Sequence, residues 1–335
     1  MRLAGFYVAQ ADDPGSRQLS AFEGHPNMFT TSFFKTTLAA SLWAAAGFAQ
    51  AGVHLNLTNR VVETAGANVA ITAGASGVIN GAAYTRTDQR PTGTGYIDPF
   101  VRVGMQGSAG KNVVEAYNTT VNGVFNNSNE DNWNHEVRFG QLKVLTAGSP
   151  GIGNTVDVVR FLLDINQNRG GTGELLNLDE VQLFISKTPN QSTESGVGVN
   201  TGQLALADSR LVYRMDGAAI DVDTKVTLDY SLNSGSGSGD MYLDVPLAMF
   251  TAAFSGGSDY NSDAEKSNAF IYLYSKFGSN PYTNNDGFEE WAFLAKNAPD
   301  GGGGFSRGQV PEPGSLALVA AALLGVGVVR RRRRS

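Results

Sequence analysis

From Gly52 to about Lys296 the apolar residues recur at every second position, and that period restricts the chain to strands. In "DVDTKVTLDYSL", Val222, Thr224, Val226, Leu228, Tyr230 and Leu232 share one face, and Asp221, Asp223, Lys225, Thr227, Asp229 and Ser231 the other. This is the pattern of a half-buried strand. "MYLDVPLAMF" repeats it through Met241, Leu243, Val245, Leu247 and Met249, with Pro246 marking a bulge or an edge. "VVRFLLDI" does so through Val159, Phe161, Leu163 and Ile165, and "EVRFGQLKVL", "EVQLFIS", "AFIYLYSKF" and "FEEWAFLA" are further strands. Turn-forming clusters such as "NNSNEDN", "NQNRGGTG" and "SGSGSGD" separate them. No long stretch has a helical period, and no repeat is evident. The expectation is an all-β body over residues 52–299: an antiparallel β-sandwich, jelly-roll-like, as one domain or two intimately packed halves.

Both ends read as addresses. "MFTTSFFKTTLAASLWAAAGFAQAG" begins with one lysine (Lys35), continues with an apolar run from Leu38 to Phe48, and closes on Ala49-Gln50-Ala51. Small residues at Ala49 and Ala51 suit the narrow pockets of a signal peptidase, so residues 1–51 are the signal region, with cleavage after Ala51. The polar residues before Met28, including Pro14, are unlike a signal peptide, which places the expected start of translation at Met28. At the other end, the glycine-rich spacer 300–309 leads into Leu316–Val329, an unbroken run of Leu, Ala, Val and Gly. As a single transmembrane helix this run spans about 21 Å, short of a ~30 Å hydrocarbon core but within what local thinning absorbs. Arg330, Arg331, Arg332, Arg333 and Arg334 follow it, and clustered positive charge stays cytoplasmic, so the body is placed outside.

Val310-Pro311-Glu312-Pro313, then the apolar helix, then the arginine cluster resembles the PEP-CTERM sorting signal. The resemblance covers the last 25 or so residues. It implies a transient anchor recognised by an exosortase, an integral-membrane cysteine protease of Gram-negative bacteria that make exopolysaccharide. The prolines suit that role, because they resist helix and keep the segment ahead of the membrane extended.

Charge and composition narrow the chemistry. Between Gly52 and Val310 there are 17 basic and 27 acidic residues, a net of −10. Such a body repels nucleic acid, whose binding needs cationic contacts to phosphate, and is compatible with divalent cations. There is no cysteine, which excludes disulfides, thiolate nucleophiles and cysteine-ligated zinc. After signal removal only His54 and His135 remain, and neither sits in a nucleophile motif. Glu289-Glu290 beside Trp291 has the makings of an acid, a base and a sugar platform, yet neighbours on a strand point to opposite faces.

Two oxygen-rich loops make calcium the one candidate cofactor, with turn chemistry the favoured reading of both. "DINQNRGGTGELLNLDE" offers Asp164 and Asn166 at its start and Asp179 and Glu180 at its end. "DYSLNSGSGSGDMYLD" offers Asp229, Asp240 and Asp244. Neither matches a known calcium-loop spacing, and Asp and Asn in turns also bond nearby backbone. Trp133, Tyr282 and Trp291 lie in or beside loops, as platform or as core.

Three functions fit these readings. One is a structural or adhesive protein of the cell surface or extracellular (biofilm) matrix. The second is a carbohydrate-binding module for exopolysaccharide, and the third a secreted polysaccharide hydrolase. The first is the leading expectation, without enzymatic activity.

Overall fold

Alternating β-branched and aromatic side chains do build strands, fifteen of them among the residues that the computed structural model describes: 53–62, 70–73, 75–87, 99–104, 113–127, 133–148, 154–197, 202–216, 224–235 and 237–296. The signal region with Met28 and its Ala49–Ala51 triplet, the spacer, the Val310–Pro313 motif, the 316–329 helix and the arginine stop lie outside the described residues.

In chain order the strands are β1 (Val53–Asn56), β2 (Ala70–Ala73), β3 (Ser76–Ile79), β4 (Ala82–Arg86), β5 (Pro99–Gly104), β6 (Val114–Tyr117), β7 (Val137–Arg138) and β8 (Val144–Leu145). Then come β9 (Val158–Asp164), β10 (Leu175–Ser186), β11 (Ser209–Arg214), β12 (Lys225–Asp229), β13 (Met241–Pro246), β14 (Phe270–Phe277) and β15 (Phe288–Phe293). Two short helices, α1 (Leu247–Ser255) and α2 (Asp263–Asn268), lie between β13 and β14.

The strands form two antiparallel-rich sheets. The first runs β2-β1-β12-β10-β14-β6, with β11 also on β10 and β7 on β14. The second runs β3-β4-β13-β9-β15-β5, with β8 on β9. The purely antiparallel expectation fails at one edge, where β1 pairs in parallel with both β2 and β12. The connection 57–69 is long enough for the crossover that parallel neighbours require. One hydrophobic cluster draws Leu176, Val226 and Leu273 from the first sheet and Phe161, Leu243 and Trp291 from the second. Trp291 Nε1 also donates to Ser275 Oγ (3.1 Å), tying β15 to β14.

The half-buried reading of the central strands is corrected. All residues of β9, β10 and β12 are buried, on both faces. Outside the first sheet, Tyr117, Phe184, Tyr272 and Tyr274 pack with Val124, Leu204 and Leu206 from covering loops. Gln182 Nε2 donates to Gly202 O (2.7 Å) and its Oε1 accepts from Leu204 N–H (2.9 Å), so the polar positions are satisfied by those loops. Outside the second sheet, Leu162, Tyr242 and Ala292 form a separate cluster.

Three further readings change. The β13 pattern does not run on to Met249: Pro246 caps helix α1, whose Ala-rich sequence favours a helix once the proline has ended the ladder. "EVRFGQLKVL" is two two-residue strands split by a 3-10 turn at Phe139–Gln141. Helix α2, unanticipated, opens on a capping box in which Ser262 Oγ accepts from Glu265 N–H (3.2 Å) and Glu265 Oε2 from Ser262 N–H (2.8 Å).

The edge strands β5 and β6 end under a shared clasp. Asn126 N–H donates to Glu115 O (2.8 Å), Glu115 N–H donates to Asn126 Oδ1 (3.2 Å), and Gly104 N–H donates to Asn126 O (3.2 Å).

Gly239 of the "SGSGSGD" segment packs against Leu162 on the second sheet. A Cβ at Gly239 would stand 2.3 Å from Leu162 Cδ1. Gly239→Ala is therefore expected to destabilise the fold by about 1–3 kcal/mol through overpacking, read as a lower urea midpoint at unchanged m-value.

Candidate functional site

The residues with the most unusual chemistry lie in a row across the outer face of the second sheet. Glu290 of β15 pairs in register with Asp164 of β9 and with Arg102 of β5. Asp240, just before β13, completes the row beside Asp164. The covering loop reaches this row through Gly237 N–H, which donates to Asp164 Oδ2 (2.8 Å), and is braced within itself by Asn233 Nδ2 donating to Gly239 O (2.7 Å). Ile165 N–H donates to Asp240 Oδ2 (2.8 Å). Glu289 points the other way and is fully buried; it accepts from Asn166 N–H (2.8 Å), Gln167 Nε2 (3.4 Å) and Asn284 Nδ2.

Burial dominates the electrostatics of this region. It pushes the Asp164 carboxyl up to about 8, partly countered by the Gly237 N–H. Burial also raises Asp240 and Glu289 well above the usual carboxylate range, and each is raised further by the charge of Asp164. Glu290 is raised by burial and restrained by Arg102, whose Nε lies 3.3 Å from Glu290 Oε1.

Two loops read from sequence as separate cation candidates thus contribute one member each, Asp164 and Asp240, to a single place. Asn166 is nearby, but through its backbone. The other candidates are dispersed and engaged elsewhere. Asp179 accepts from Ser279 N–H (2.7 Å) and Oγ, and Lys225 Nζ donates to the same hydroxyl (2.8 Å). Asp229 pairs with Arg60 (2.7 Å), and Asp244 is held bidentately by Arg160 (2.7 Å to each oxygen). Glu180 shares a hydrogen bond with Asp216 beside the Tyr84–Tyr213 hydroxyl pair, and burial, with the charge of Asp216, keeps its carboxyl raised. Among the described residues no three acidic or histidine side chains converge as a metal cluster.

The remaining sequence candidates fall into the scaffold. Glu289 and Glu290 face opposite sides of β15, as neighbours on a strand must. Trp291 and Tyr282 are core residues. His54 is buried, with Nε2 2.6 Å from Thr227 Oγ1; since that hydroxyl donates to Asn177 Oδ1 (2.7 Å), His54 is the donor. His135 Nδ1 lies 3.3 Å from Glu136 O. Trp133 alone of the three aromatics is half-exposed. The Arg102 guanidinium sits 4.7 Å from its ring centroid and 3.7 Å from that of Phe288. Arg102 and Phe288 were not singled out in sequence, since only register puts them beside Glu290. A cleft of about 510 Å³ lies elsewhere, between β11 and α1, lined by Val212, Met249 and Ala252 with Arg210 and Asn80 at the rim.

Residues 309–334 match the PEP-CTERM protein-sorting motif. The chain therefore carries the signal of a protein that is exported, transiently anchored in the membrane and processed by an exosortase. The PEP-CTERM match lies wholly beyond the C-terminal end of the body, whose family it leaves open. No curated protein and no solved structure matches the chain.

The raised carboxyls make stability fall as pH rises. Native Asp164, Asp240, Glu289 and Glu290 hold protons that the unfolded chain has released above about pH 4, so their contribution is full below that pH. For Asp164 the loss extends through about pH 8. Urea midpoints are expected to fall from pH 5 to pH 8.5. Asp164→Asn, which mimics the neutral carboxyl, should remove at least ~1.4 kcal/mol of that fall, the worth of one pH unit of linkage.

Proposed function

We propose that the protein is an exported, non-catalytic β-sandwich that its sorting tail delivers to the cell surface or exopolysaccharide matrix, where it has a structural or adhesive role. The sorting motif at residues 309–334 carries this reading. Strand order supports a jelly roll. Of the eight strands β5, β6, β9, β10, β12, β13, β14 and β15, one sheet takes β5-β15-β9-β13 and the other β6-β14-β10-β12. That is the order produced by two Greek keys wrapped into facing sheets. Non-catalytic action is supported by the opposed Glu289 and Glu290 and by the engagement of Asp179, Asp229 and Asp244 with neighbouring side chains.

In cells lacking the exosortase, the full-length chain is expected to stay in the membrane fraction, while wild-type cells release a form shortened near Pro311. Equal release from both strains would defeat the proposal.

The half-exposed Trp133–Arg102–Phe288 stack beside Glu290 favours carbohydrate binding as a second reading, since rings supply stacking faces and Glu290 a hydrogen-bond acceptor. Phe288→Ala with Trp133→Ala should then weaken binding to the producing strain's own polysaccharide by about tenfold or more, one ~1.4 kcal/mol step. Co-sedimentation unchanged by the pair would remove this second reading.

A further inference from the structure

We infer that Asn122, in the turn after β6, is a self-modification site: it converts to aspartate and isoaspartate through a succinimide, and the change loosens the clasp over β5 and β6. The inference is independent of the sorting and carbohydrate readings. The described residues hold two Asn-Gly pairs, Asn80-Gly81 and Asn122-Gly123. In such a pair the attacking backbone nitrogen is least shielded, because glycine carries no Cβ.

The fold treats the two pairs differently. Asn80 and Gly81 are the central residues of the β3–β4 hairpin, at φ 48° and 84°, the type I′ turn that this pair favours. Asn80 Nδ2 donates to Arg214 O (3.1 Å) and Met215 O (2.8 Å), so its side chain is fastened to the end of β11. Closing a ring there would break both bonds and turn the backbone out of its hairpin. Asn122 and Gly123 are both exposed, and a Cβ at Gly123 would meet nothing within 4 Å. Among the described residues no hydrogen bond holds the Asn122 side chain or the Gly123 N–H. Nothing there opposes the approach of the Gly123 nitrogen to Asn122 Cγ, and proximity is what an intramolecular attack depends on.

The chemistry needs only water and a base. The base takes the Gly123 amide proton and the nitrogen attacks Asn122 Cγ. The Cγ–Nδ2 bond breaks, and Nδ2 leaves as ammonia with a proton returned to it. Water then opens the five-membered ring. Attack at Cγ gives aspartate; attack at the main-chain carbonyl carbon gives isoaspartate, in which the backbone runs through the side chain and is one methylene longer. One water enters and one ammonia leaves.

Asn127 brackets the reacting pair and links it to the clasp. Its Nδ2 donates to Val121 O (2.9 Å) and its N–H to Val124 O (3.2 Å), one carbonyl on each side of Asn122-Gly123. An extra methylene between those carbonyls must displace one of them. Asn127 also bridges Val103 of β5, and its neighbour Asn126 binds Glu115 and Gly104. The new carboxylate enters a turn that already accommodates two others, since Phe125 N–H donates to Glu194 Oε1 and Thr120 N–H to Glu136 Oε1 (3.4 Å).

The test is ageing of the full-length chain in mildly alkaline buffer, followed by peptide mapping with mass spectrometry and isoaspartyl methyltransferase labelling. The peptide holding Asn122 should gain the mass of an NH2-to-OH exchange, divide into two products and take the label. In the native chain Asn80 should react at least about tenfold more slowly, a barrier difference of about 1.4 kcal/mol, whereas in urea the two should react alike. Hydrogen exchange at the Gly104 and Asn126 amides should quicken by about tenfold or more in the aged chain and stay unchanged in equally aged Asn122→Ser. An intact Asn122 after ageing, or native Asn80 reacting as fast, would overturn the site. Unchanged exchange at Gly104 and Asn126 in a chain fully converted at Asn122 would overturn its link to the clasp.

Discussion

The burial of β9, β10 and β12 on both faces is the constraint on which the rest of the structure depends. A strand in an ordinary two-layer arrangement shows its polar face to water; here those faces carry Gln182, Asn177, Arg160 and Asp164, all of them buried. Each such group must find a partner in the protein, because an unmade buried hydrogen bond costs about 1–3 kcal/mol. The loops outside the sheets are consequently second layers of structure. Gln182 binds segment 202–204, Asn177 binds Ser279 O, and Arg160 takes Asp244 bidentately while stacking over Tyr242 at 4.3 Å.

The same constraint, met at Asp164 and Asp240 by carboxyls that burial favours in the neutral form and at Glu290 by Arg102, explains the row on the second sheet. An ionised Asp164 or Asp240 without a cation is disfavoured by desolvation, so the proton stays. Glycine at 237 and 239 lets the covering loop come close enough to bond one carboxyl and press on Leu162, which is why the loop's composition is so narrow. A loop of larger residues would stand off the sheet, admit water and return these carboxyls to ordinary acidity.

Much of this fold was legible in the alternation of residues, because packing between two sheets selects for it directly. The strands around Phe161, Leu243, Ile271 and Trp291 are where a period of two puts them. What period cannot carry is everything that depends on partners distant in sequence. Parallel pairing of β1 is invisible in "VHLN", since the strand looks alike whichever neighbour it has. The outer faces looked solvated because Thr227, Gln182 and Asp229 are polar, and polarity does not say whether water or a loop satisfies it. Helix α1 was masked by a strand pattern that ran past Pro246, although a proline followed by Ala-rich sequence is a break worth weighing more heavily. The capping box at Ser262 and Glu265 was there to be read. Of the oxygen-rich loops, Asp164 and Asp240 meet because β9 and β13 are neighbours, a fact of topology that neither loop contains.

The clasp at Asn126 bears on how the sheet edges are protected. Open strand edges are templates for edge-to-edge polymerisation. By spending its own backbone and amide on Glu115 and Gly104, Asn126 occupies ladder positions on β5 and β6 together and blunts that corner of both sheets. A single asparagine in a turn thus leaves fewer unpaired ladder groups at the end of both edges.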